Sequence, residues 1–129
     1  MEWIQVDTAD GQLSFPPGST VEGVASWHLD APPASVELRL FWYTEGKGDQ
    51  DLQIVQTVQF GQPGEDDRRA FRVQLPAGPY SFSGKLISLI WALEVVAEPG
   101  ARAGRTPLVL SPTGREILLH PGIQGASPG

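Results

Sequence analysis

The side chains that could do chemistry are few. His28 and His120 are the two histidines of the 129-residue chain, and there is no cysteine. Zinc centres draw three or four ligands from closely spaced His and Cys, and two distant histidines, with Asp30 near the first, do not supply that spacing. Without cysteine there is no disulfide framework, thiolate centre or sulfur nucleophile. Two acidic clusters, Asp49-Gln50-Asp51 and Glu65-Asp66-Asp67, invite a calcium reading, but that ion wants about six to eight oxygens and the closing Glu of the EF-hand loop is missing. Both are read as solvated turns. Ser81-Phe82-Ser83-Gly84 is not the Gly-x-Ser-x-Gly elbow of a hydrolase and precedes a strand, not a helix. Gly46-Lys47-Gly48 lacks phosphate-loop spacing and suits a hairpin turn. Pro76-Ala77-Gly78-Pro79 matches Pro-x-x-Pro yet reads as an internal connection, not a polyproline ligand. No carboxylate pair stands out for glycoside chemistry. The expectation is therefore no enzyme, metal, cofactor or small-molecule substrate.

Charge narrows the partners. The net charge is −6, and residues 1–64 hold nine acidic residues against Arg39 and Lys47. No basic stripe exists to displace counterions from a phosphate backbone, which argues against nucleic acid. The first residues have neither the positive start nor the apolar run of a secretory signal. The longest apolar stretch, 86–97, is interrupted by Ser88 and Glu94 and is too short for a bilayer. Cytoplasmic residence is the expectation.

The elements that must position any surface are strands. Val21, Gly23, Ala25, Trp27 and Leu29 alternate with polar residues, as on a half-buried strand. In 35–44, Val36, Leu38, Leu40 and Trp42 point inward and Glu37, Arg39, Phe41 and Tyr43 outward. In 52–60, Leu52, Ile54, Val58 and Phe60 share the inward parity, with Gln56 as the exception. In 69–75 the inward set is Phe71, Val73 and Leu75; in 85–98 it is Ile87, Leu89, Trp91, Leu93 and Val95, opposed by a second face that is only partly polar. Shorter strands are expected at 3–6, 12–15, 107–110 and 116–120. The fifteen glycines and twelve prolines cluster between these runs as turns, and no helical periodicity is bounded by caps. This pattern predicts an all-β antiparallel β-sandwich of about seven to nine strands. One domain over 1–120 with a disordered tail at 121–129 is expected, since the tail has almost nothing to bury.

Three segments carry a family resemblance. Phe15-Pro-Pro-Gly-Ser-Thr-Val-Glu-Gly-Val-Ala25 resembles the entry to an arrestin-type domain. Ala34-Ser-Val-Glu-Leu-Arg-Leu-Phe-Trp-Tyr-Thr-Glu-Gly46 is similar to that family's second strand and glycine turn. Phe71-Arg-Val-Gln-Leu-Pro76, followed by the stretch from Pro79-Tyr-Ser-Phe-Ser-Gly84 to Ala97, resembles its strand, Leu-Pro, Ser-Phe, Gly and long-strand order. Residues 12–98 are covered. The resemblance implies an immunoglobulin-like sandwich acting as an adaptor without catalysis. Arrestins pair two such domains, whereas this length accommodates one, so their inter-domain polar core and cradle are not implied.

Surface is what remains for function. Phe41 and Tyr43, with Leu86, Ile90 and Val96 on the long strand, lie opposite the inward sets, and an uncovered patch of that kind marks an interface. Phe41, Tyr43, Leu86 and Ile90 are thus the candidate interaction surface, for another protein or a second copy of the chain. An open strand edge offers a further route by β-augmentation. The alternative is a carbohydrate- or small-ligand-binding sandwich with exposed Trp as stacking platform. Trp27, Trp42 and Trp91 fall on inward parities, leaving only Trp3 for that role.

Overall fold

The structure, a computed structural model, describes residues 1–48, 50–113 and 117–119, the last by backbone only. The expected tail at 121–129 and His120 lie outside the described residues, as does Asp49. Ten strands follow in order: β1 (Trp3–Thr8), β2 (Ser14–Phe15), β3 (Thr20–His28), β4 (Ser35–Gly46), β5 (Leu52–Phe60), β6 (Asp66–Gln74), β7 (Phe82–Gly84), β8 (Ile87–Glu98), β9 (Arg102–Leu110) and β10 (Ile117–Leu119). The only helical piece among the described residues is a single 3-10 turn, Ala9–Gly11. β7 is too short for period-two alternation to reveal it.

The strands form two sheets. One has three strands in the order β1-β3-β6; the other has seven, running β10-β7-β8-β4-β5, with β9 on β8 and β2 on β9. The long ladders are antiparallel, as expected of a sandwich. Two short parallel pairings, β2 with β9 and β10 with β7, join segments distant in the chain, which no local pattern could disclose.

The inner faces meet in one core. Trp27, Val21 and Ala25 from β3 face Leu38, Leu40, Trp91, Leu93 and Val95 from β4 and β8, all at or near zero exposure. A buried indole must place its N–H. Trp27 Nε1 donates to the Gly64 carbonyl at 2.8 Å and Trp91 Nε1 to the Pro79 carbonyl at 2.7 Å. Pro76 accepts from the Gly18 amide at 3.2 Å, so the Pro-x-x-Pro segment is a connection held inside the fold.

β1 ties the sheets together along one side. The Thr106 hydroxyl of β9 donates to the Val6 carbonyl at 2.7 Å. The Ile4 carbonyl passes so close to Gly104 that a Cβ there would lie 2.2 Å from its oxygen. Only glycine lets the two backbones approach this closely.

At β5 the expected inward parity of Leu52 and Ile54 is reversed. In the β4–β5 ladder Leu40 pairs with Gln56 and Phe41 with Ile54, a bulge that leaves Val55 as the extra residue. Straight period-two counting from Phe60 puts Ile54 and Leu52 inward; the bulge absorbs one step and turns both outward. They are exposed, Leu52 at 61% and Ile54 at 42%. Ile87, also expected inward, sits at the open start of β8 with 36% exposure.

Candidate functional site

Directly opposed residues in an antiparallel ladder share a face, and the register of the seven-stranded sheet assembles one surface from three strands. Tyr43 of β4 stands between Ile90 of β8 and Leu52 of β5, and Phe41 between Ala92 and Ile54. β4 keeps unbroken register with β8, so Phe41 and Tyr43 stay on the outer face as their parity requires. Their rings stack, with centroids 5.9 Å apart and planes 28° from parallel. The Arg105 guanidinium, from β9, lies 5.0 Å from the Phe41 centroid and 5.4 Å from that of Tyr43. It is oriented by Glu94, whose Oε2 accepts from Nη2 at 3.1 Å.

The sequence reading placed Phe41 outward, and its face is outward, yet it is only 3% exposed. Arg105 and Tyr43 cover the ring, so Phe41 is the buried floor of the surface and not its contact layer. Tyr43 and Ile90 are half-buried neighbours. Leu86 is exposed but lies on the bend before β8, where its carbonyl accepts from the Lys47 amide, just beyond the Gly46–Ile87 end of the strand pair. Val96 is buried between Glu37 and Ala103 on its outer side. The structure therefore brings three of the four candidates together and sets Leu86 apart.

Leu52 and Ile54 are the surface residues that parity counting missed. Two signals mark them in hindsight of the register: Gln56 on an otherwise apolar parity and the Ile54-Val55 doublet. Beside them Phe41, Tyr43, Leu52, Asp51 and Arg105 line an open groove of about 270 Å³. Further along the face Glu37 accepts from the Arg39 guanidinium and from the Gln59 side-chain amide.

Away from this face, two carboxylates are held by hydrogen bonds within the fold. Asp67 accepts from Arg69 Nη2 at 2.9 Å and from the Gly64 and Arg68 amides, and chiefly the Arg69 hydrogen bond lowers its carboxyl to about 2. The Glu2 carboxyl is also held below its usual range, by the Asp30 amide first and Arg102 second. His28 ends β3 at the solvent side with Nδ1 3.6 Å from Asp66 Oδ2. Trp3 stacks on it at 46% exposure. Among the described residues no cluster of three or more His, Asp or Glu side chains is arranged to hold a metal. No helix there is long and apolar enough to cross a membrane.

No family model matches the chain and no curated protein does. A solved structure does: Spo0M, a sporulation control protein from Bacillus subtilis, superposes with a TM-score of 0.56 at 18% identity. The match covers 83% of this chain and 49% of that one, so the chain spans about half the length of Spo0M. At this identity the likeness is one of fold. The fold is an arrestin-like β-sandwich.

Proposed function

We propose that this chain is a non-catalytic protein-interaction module, a relative of arrestin-type adaptors, that binds another protein on the outer face of its larger sheet. One observation carries the reading: exposed Leu52 and Ile54 are continuous with the stacked Phe41–Tyr43 pair beneath Arg105. An apolar surface with an aromatic floor and an arginine at its rim has the composition of an interface centre. The nearby ionisable groups support it too, because Glu94 and Arg105, and Glu37 and Arg39, are committed to each other and not to a reacting centre.

The test is affinity capture from cells of the source organism, comparing the wild-type chain with Leu52→Asp. Leu52 is exposed, so the variant should melt within a few degrees of wild type and lose its captured protein. Identical captured sets for both chains would overturn the reading.

A further inference from the structure

The edge of β5 makes a second surface, distinct from the face. Among the described residues β5 pairs only with β4 and stands at the end of its sheet. Its other side is a row of backbone donors and acceptors that an extended strand can complete. Natural sheets guard such edges with charge. β6, the edge of the smaller sheet, does so: five of its nine residues, Asp66, Asp67, Arg68, Arg69 and Arg72, are charged. β5 reads Leu-Gln-Ile-Val-Gln-Thr-Val-Gln-Phe with no charge in nine residues, and its first six are exposed.

We infer that a second copy of this chain pairs with β5 edge to edge, antiparallel about a two-fold axis, extending the larger sheet across both molecules. This goes beyond the face reading because it uses the strand's edge. The register is set by Leu52–Ile54, the exposed and unbroken stretch ahead of the Val55 bulge. A two-fold axis perpendicular to the sheet keeps outer faces on one side, so opposed residues must share a parity. Centring the pair on Gln53 meets this condition: Gln53 faces its own equivalent, and Leu52 of one copy lies beside Ile54 of the other, both outward. Apolar side chains then meet apolar ones and amide meets amide, with no like charges opposed, although each copy carries −6. A partner with a charged strand would lose that match. The Val55 bulge breaks the pleat beyond Ile54, confining the in-phase pairing to Leu52–Ile54, the first three of the strand's nine residues. The pairing uses the same edge of both copies, so it closes as a dimer and does not propagate as a fibre.

Sedimentation equilibrium of the full chain, from micromolar to millimolar, should show the mass rising from 13.9 kDa to twice that and no further. Gln53→Lys, at an exposed position, puts two ammonium groups face to face and should weaken the dimer about tenfold or more. Because the chain has no cysteine, Gln53→Cys supplies a unique thiol that should oxidise to a covalent dimer, opposed residues being within disulfide reach. Glu22→Cys on the other sheet is the control and should not. A mass that stays at the monomer, a dimer indifferent to Gln53→Lys, or equal cross-linking from both thiols would each overturn the inference. Gln53→Lys leaves Leu52, Ile54 and Tyr43 in place, so it should retain capture of a heterologous protein; loss of self-association and loss of capture are thereby separable.

Discussion

Arg105 shows how one side chain changes the meaning of another. Phe41 is apolar, on the outer face of a strand, and nearly inaccessible, because a guanidinium and a second ring lie over it. Replacing Arg105 by Ala should uncover the ring at a cost of about 0.5–1 kcal/mol, the value of an exposed cation–π contact, read as a small fall in the urea midpoint with increased binding of a hydrophobic dye. Phe41→Ser should cost considerably more, since it removes the floor itself. Asp67 sets a pH dependence. Its folded carboxyl titrates near 2 against 3.8 ordinarily, so between those values the unfolded chain binds the proton and the folded one does not. The stability contributed is complete above roughly pH 5 and lost as pH falls towards 2. Asp67→Asn should lower stability at neutral pH by about 1.5–3 kcal/mol, the worth of a hydrogen bond to a charged group, and the gap from wild type should close near pH 2 in denaturant titrations.

At the scale of elements, β1 and β5 carry the consequences. β1 belongs to the smaller sheet yet lies against β9 of the larger one through Gly104. Gly104→Ala should force the two backbones apart and destabilise the fold by about 1–3 kcal/mol, as overpacking does, seen as a melting temperature several degrees lower. β5 holds the clearest divergence between pattern and structure. Its boundaries, Leu52 to Phe60, match the sequence reading to the residue, because turn residues flank an apolar run. The direction of its first half does not match, because a single unpaired residue at Val55 reverses parity for everything before it. Ser35–Gly46 has no such step against β8, and there the inward assignment of Val36, Leu38, Leu40 and Trp42 agrees with the core.

For the whole molecule, charge and edge act together. Two copies of −6 repel at long range, while the strands that would join them are neutral. Screening with salt, which shortens the Debye length to about 8 Å at physiological ionic strength, should therefore tighten the proposed dimer, and sedimentation at low and high salt should show the dissociation constant falling. A salt bridge-driven assembly would respond in the opposite sense.

Local pattern was enough for the class of fold and for the core of β3, β4 and β6, since strand periodicity, turn residues and the inward Trp27 follow from it and from the need to bury apolar area. It also determined that the chemistry-bearing side chains are sparse and scattered. Which outward residues form one surface is settled by the pairing of distant strands. Tyr43, Ile90, Leu52 and Ile54 come from three strands, and their meeting depends on strand order and on one bulge. Both are properties of pairing between distant segments, which period-two alternation within a single strand does not encode.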